Sequence, residues 1–319
     1  MARTTTWLVG FALVVLSACG NQPTPRDPAG AQPCARATAG PEWFRRLSMD
    51  PEQCIGLLRE RPHAAALRIV PAVLGTRGVR LVVDTGSARH VIAKSVADGS
   101  GLEVDTDVAP TAIVSPSNKV RSSVGELPAR TIQVQGGFRV SGQAALVVEL
   151  PPTWKHHGFL SPQQLATQQR VVVLDLPGDR LLVLPYRQAA AWLPDQTRFP
   201  SGAQHGFWLG SDPIPVCSSD GNRVFRINAE HGRAVMKLLL DTGMRTTSVA
   251  TRRLHGGASA GPLVVGDFRA NDFTAVDEFV TSASCPTDGV LGMDVLKDCV
   301  FVFSGERGQN VQVRCWNPG

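Results

Sequence analysis

Leu81-Val82-Val83-Asp84-Thr85-Gly86 recurs as Leu238-Leu239-Leu240-Asp241-Thr242-Gly243. A single Asp-Thr-Gly tripeptide is weak evidence, but two copies, each closing an apolar strand-forming run, argue for an internal duplication. Each copy is preceded by a hairpin pattern. Leu67–Val70 turns through Gly75–Gly78 into Val79–Val83, and Val224–Ile227 turns through Asn228–Gly232 into Val235–Leu240. Alternation of period two and glycine-bearing turns mark these as strands. A second landmark follows each copy. Asp288-Gly289-Val290-Leu291-Gly292-Met293-Asp294-Val295-Leu296 lies after Asp241, and a blurred version, Gly158-Phe159-Leu160-Ser161-Pro162-Gln163-Gln164-Leu165, lies after Asp84. A strand pair then closes each unit: Val171–Asp175 with Arg180–Leu184, and Cys299–Phe303 with Val311–Cys315. Two copies of such a unit predict two related β lobes, not a solenoid.

Composition agrees. The 319 residues are 43% hydrophobic and 18% charged, which suits a packed core and excludes global disorder. With 31 glycines and 23 prolines, a turn-rich β protein fits better than a helix bundle. The net charge of +5 has no matching basic block, so the charge reads as solvated surface and nucleic acid is excluded as a partner. His63, His90, His205, His231 and His255 show no metal-ligand spacing, and Ser211 and Ser218-Ser219 lack a nucleophile-elbow pattern. His156-His157 reads as a solvated loop, with a ligand pair or a cleft wall as the alternative. No metal or organic cofactor is expected.

Over residues 64–319 the doubled motif resembles the aspartic proteases, specifically bacterial members that join two retropepsin-like units into one pepsin-like chain. The resemblance implies a mainly β, two-lobed pepsin-like fold with few short helices. It places a peptide or protein substrate in a cleft between a first lobe with a flap (63–195) and a second lobe (196–319). It also implies that Asp84 and Asp241 meet at a pseudo-twofold axis as the catalytic pair. Two carboxylates so close cannot both ionise comfortably and share one proton, the ionised one acting as base on water. Thr85 and Thr242 would interlock across the junction. Gly86 and Gly243 would let the backbone approach the carboxylates closely.

Several departures from the family pattern stand out. Ser87 follows the first motif and is expected to donate its hydroxyl to Asp84. Met244 follows the second, and its thioether is a poor partner. That difference predicts more negative charge on Asp84 and the shared proton on Asp241. His90 stands where the second copy has Thr247. Ser161-Pro162 replaces the Gly292-Met293 of the second copy. Asp84 to Gly158 is 74 residues but Asp241 to Gly289 is 48, so the extra length places a flap at Ala112–Gly125, with Ser115-Pro116-Ser117-Asn118 at its tip. The flap has no tyrosine; the chain's single one, Tyr186, lies too late. Met244, Ser161-Pro162 and the missing tyrosine support a rival reading, a non-catalytic envelope lipoprotein that kept the fold to bind peptides or a partner.

Trp7–Leu16 is an apolar run too short to span a bilayer but suited to a signal peptide. It leads into Leu16-Ser17-Ala18-Cys19-Gly20, which resembles a bacterial lipobox. This implies a signal peptide at 1–18, lipidation of Cys19 and a membrane contact through the acyl chains. The alternative is an ordinary signal peptide. Residues 19–40 read as a flexible tether and 41–62 as one or two short helices. A monomer is expected, on the outer membrane facing the periplasm. Six further cysteines in an oxidising compartment suggest disulfides: Cys34–Cys54, Cys299–Cys315 across a hairpin, and by remainder Cys217–Cys285.

Overall fold

The computed structural model describes residues 51–63, 65–114, 120–134, 137–189, 207–208, 216–219, 222–254, 261–266, 268–277 and 286–315. Cys19, the signal and tether segments, Cys34 and Cys285 lie outside the described residues.

Two sheets repeat one plan. In the first, strands Arg68–Leu74 and Arg77–Val83 form a hairpin, and Gly158–Leu160 joins it parallel to the second strand, with Gly158 opposite Leu81. Strand Val91–Ala93 then pairs antiparallel with Gly158–Leu160. In the second sheet the hairpin is Asn222–His231 with Ala234–Leu240. Gly289–Leu291 joins parallel with Gly289 opposite Leu238, and Ser248–Ala250 closes on it. The strands alternate, as Arg77–Val83 shows by burying Val79 and Leu81 while exposing Gly78 and Arg80.

The main-chain bonds repeat as well. Asp84 N donates to Leu160 O and Asp241 N to Leu291 O. Ala93 N donates to His157 O and Ala250 N to Asp288 O. Both parallel strands begin at a glycine because another backbone crosses there. A Cβ on Gly158 would stand 2.0 Å from Val91 O, and one on Gly289 2.2 Å from Ser248 O.

A third, six-stranded sheet takes strands from both halves. Arg170–Asp175 pairs antiparallel with Cys299–Ser304 at its centre, and each is backed by its own hairpin partner, Arg180–Pro185 or Asn310–Cys315. Val172, Val173, Leu174, Phe301, Val302 and Phe303 are buried there, so the halves meet over a continuous apolar core. The fold is mainly β, with short helices at Lys94–Asp98, Tyr186–Ala189 and Met293–Leu296 among the described residues.

Two expectations need correction. Over the described part of 41–62 the chain forms strands Gln53–Gly56 and Leu58–Arg59, not helix. Ile55 and Leu57 are buried while Gly56 and Leu58 are exposed, a period of two that a list of apolar positions can mimic as helical spacing. His156-His157 is no solvated loop. His157 Nδ1 accepts the Arg80 N–H at 2.9 Å, the same main-chain service that Asp288 Oδ2 gives Lys237 N–H at 2.9 Å in the second half.

Cys299 and Cys315 stand opposite each other in the terminal hairpin and are disulfide-bonded. Cys54 is also disulfide-bonded. The strands Ala112–Val114 and Val120–Leu127 form the two arms of a hairpin where the flap was expected. Its tip lies outside the described residues.

Candidate active site

Both Asp-Thr-Gly turns leave the ends of buried strands and face each other at the junction of the halves. The threonines fix this meeting. Thr85 Oγ1 donates to Leu240 O at 2.7 Å and accepts the Thr242 N–H at 3.1 Å. Thr242 Oγ1 donates to Val83 O at 2.8 Å and accepts the Thr85 N–H at 3.1 Å. Both side chains are fully buried, so every bond in this reciprocal set is shielded from water.

The interlock sets the carboxylates face to face. Asp84 and Asp241 are 9% and 6% exposed and hydrogen-bond to one another. Each also lies against the other motif's glycine. A Cβ on Gly86 would stand 2.6 Å from Asp241 Cγ, and one on Gly243 2.7 Å from Asp84 Cγ. Any side chain there would push the pair apart, so glycine is required by close approach.

Main-chain donors serve the inner oxygens. Gly86 N–H and Ser87 N–H reach Asp84 Oδ1 at 2.8 and 3.1 Å, and Gly243 N–H reaches Asp241 Oδ1 at 2.8 Å. The Ser87 hydroxyl does not serve Asp84, contrary to the expectation from sequence. It donates to Arg89 O at 2.6 Å, because the turn brings that carbonyl back toward the side chain. Burial pushes both carboxyls above the usual range. Asp241 is pushed further, since the charge of Asp84 adds to its burial, whereas the bond from Asp241 favours the ionised form of Asp84; main-chain amides, of Gly86 and Ser87 for Asp84 and of Gly243 and Met244 for Asp241, pull both carboxyls the other way. Two buried carboxyls this close share a single proton and titrate as a pair.

Buried groups brace each motif from behind. Thr247 N–H and Oγ1 donate to Asp294 at 2.8 and 2.7 Å, and Gly292 N–H donates to Thr247 Oγ1. In the first half His90 takes the threonine's place. Its Nδ1 accepts the Ser161 N–H at 3.1 Å and its Nε2 meets Ser141 O at 3.1 Å, so the ring is neutral. Burial holds its pKa down to about 4. Arg245, four residues past Asp241, pairs with Glu60, which also meets His156 Nε2 at 3.3 Å. Sequence reasoning assigned no role to Glu60, Gln163, Gln164 or Asp294. Asp294 in the second glycine landmark and Gln163 and Gln164 in the first carried a signal by position; Glu60 carried none. Among the described residues no cluster of side chains could hold a metal ion.

Fold and site together define a mainly β protein whose two related halves share one buried aspartate pair. Residues 70–172, about a third of the chain, match the aspartyl protease family model. A solved structure, the aspartic proteinase from Irpex lacteus, is similar at a TM-score of 0.46 and 10% identity, covering 83% of this chain and 97% of that one. No curated protein matches.

Proposed function

We propose that the chain is an aspartic endopeptidase. The observation that carries this reading is the buried, mutually hydrogen-bonded pair Asp84 and Asp241, each lying against the other's glycine. Ionised Asp84 takes a proton from a water between the carboxyls while protonated Asp241 donates to the carbonyl oxygen of the scissile peptide. The neutral tetrahedral diol then collapses: the C–N bond breaks as Asp84 gives its proton to the departing nitrogen, and ionised Asp241 takes a proton back from a diol hydroxyl, which restores the starting pair. No covalent enzyme intermediate forms, and no step calls on a metal or organic cofactor. The test is cleavage of an unbiased peptide mixture by the purified chain, with pepstatin added in a parallel reaction. Pepstatin-sensitive cleavage is expected; cleavage indifferent to pepstatin would sink the reading.

The enzyme reading extends to placement. The lipobox-like Leu16–Gly20 supports a lipid anchor at Cys19 holding the enzyme on the periplasmic face of the outer membrane. Among the described residues no helix is long and apolar enough to cross a membrane. Cys19→Ser should therefore move the protein from the membrane to the soluble fraction without changing its melting temperature. Undiminished membrane retention of the variant would contradict the anchor.

A further inference from the structure

Pro162 breaks the repeat at one chemical point. In the second half Met293 N–H donates to Met244 O at 2.8 Å and Asp294 N–H to Arg245 O at 2.9 Å, holding the loop that follows Asp241. In the first half Pro162 stands in the place of Met293 and has no N–H to give. Two side-chain amides supply the missing bonds. Gln163 Nε2 donates to Ser87 O at 2.8 Å, and Gln164 Nε2 donates to Ala88 O at 2.6 Å. The two glutamine side chains thus serve the two carbonyls that main-chain donors serve in the second half, one of those donors being lost to the proline.

Gln163 does more than replace. Its Nε2 also reaches Thr85 O at 3.2 Å and, across the junction, Arg223 O at 3.3 Å. Thr85 C=O belongs to the same peptide unit as Gly86 N–H, the donor to Asp84 Oδ1. Donation into the oxygen of an amide polarises it and strengthens its N–H as a donor. The chain Gln163 Nε2–H to Thr85 O, then Gly86 N–H to Asp84 Oδ1, ends on a carboxylate. Among the described residues no donor reaches Thr242 O, the matching carbonyl. The side chain at the matching position, Asp294, is an acceptor engaged with Thr247.

We propose that Gln163 is the positioning residue that places the negative charge of the pair on Asp84 and the shared proton on Asp241. It acts through the Thr85–Gly86 peptide and does not touch the reacting atoms. It is fully buried, so its amide dipole is not screened by water. The other charged or titratable groups on the surrounding elements are committed elsewhere. Arg89 pairs with Glu126 and also donates to Ala144 O, Arg245 pairs with Glu60, and Arg223 donates to Glu306 O. His90 is neutral, and Asp294 holds Thr247. Placing the charge on Asp84 rests on the proposed protease chemistry only for its use in catalysis.

The test is a titration of the carboxyl carbons in full-length protein labelled with 13C-aspartate, signals being assigned with Asp84→Asn and Asp241→Asn. In the unmutated protein the first ionisation of the pair should appear on Asp84. In Gln163→Met, which keeps the volume and loses the donor, that step should rise by about half a unit to one unit and spread more evenly over both carbons. Gln164→Met removes a donor of similar burial outside the catalytic peptide units and should leave the step in place. A first ionisation on Asp241 in the unmutated protein overturns the proposal whether or not Gln163→Met folds. So does an unmoved step in Gln163→Met, or an equal shift in Gln164→Met. None of these readings needs turnover. A protein that titrates as expected but cleaves no peptide refutes the protease reading alone.

Discussion

Asp84→Asn and Asp241→Asn should each lower peptide cleavage by roughly 10³–10⁴-fold or more, because the mechanism needs one base and one acid and an amide can be neither. The fold should survive both changes. Each replaces a buried carboxyl by a group of the same shape that carries no charge and keeps an oxygen for the Gly86 or Gly243 N–H. Stability gives the sharper signature. The carboxyls' pKa values are raised in the folded state, so the folded state binds more protons than the unfolded one. Their contribution is fully present below the unfolded pKa and is lost as pH rises through the raised folded value. At pH 7 the buried charges therefore destabilise the native state, and Asp241→Asn, which removes the more strongly shifted group, should raise the melting temperature. The gain should shrink toward pH 4, where the wild-type pair is more fully protonated. A scan at both pH values checks this; a variant that melts lower at pH 7 than at pH 4, relative to wild type, would contradict a strained buried pair.

Breaking the threonine interlock should be the most damaging change to the frame. Thr85→Val keeps the shape but leaves Leu240 O without its donor and Thr242 N–H without its acceptor, both buried. An orphaned buried group costs about 1–3 kcal/mol, so the pair costs roughly 2–6 kcal/mol. For a domain of this size each kcal/mol moves the melting temperature by about 2–4 °C. A fall of order 10 °C is expected, with Thr242→Val matching it because its bonds to Val83 O and Thr85 N are reciprocal. Thr85→Ser keeps the hydroxyl and should recover most of the loss. Activity should fall in the valine variants even at temperatures where they remain folded, since the interlock sets the separation of the carboxyls. A Thr85→Val protein as stable and active as Thr85→Ser would show that the hydroxyl bonds contribute little.

What could be read from the sequence was what the duplication writes twice. The hairpin before Asp84, the glycines Gly158 and Gly289, and the closing strand pairs lie where alternation and turn residues placed them; the hairpin before Asp241 is there too, but its first strand runs on through Asn228–His231, which were expected to turn, and reverses at Gly232–Arg233. Glycine at 86 and 243 was legible because close approach leaves no other choice. Misreadings came where one backbone partner could be satisfied in several ways. Ser87 could donate to a carboxylate or to a nearby carbonyl, and turn geometry decided for Arg89 O. Pro162 advertised a missing donor, but nothing in the linear pattern said that the next two glutamine side chains would fold back to replace it. His157 standing in for Asp288 was hidden because imidazole and carboxylate share only one property there, an acceptor for a main-chain N–H. The short strands at Gln53–Gly56 and Leu58–Arg59 were obscured because a few apolar residues fit either period.

The pH dependence of kcat/KM on a cleaved peptide tests most directly whether Asp84 and Asp241 act as one acid–base unit. Catalysis needs a single proton on the pair, so the rate should rise as the first carboxyl ionises and fall as the second does, giving a bell with two limbs. The upper limb should lie above the ordinary carboxylate range, as burial and the neighbouring charge require of Asp241. Either asparagine variant should flatten the bell to the baseline. A rate that climbs steadily with pH through neutrality, or a bell that persists in Asp84→Asn or Asp241→Asn, would contradict catalysis by the shared-proton pair.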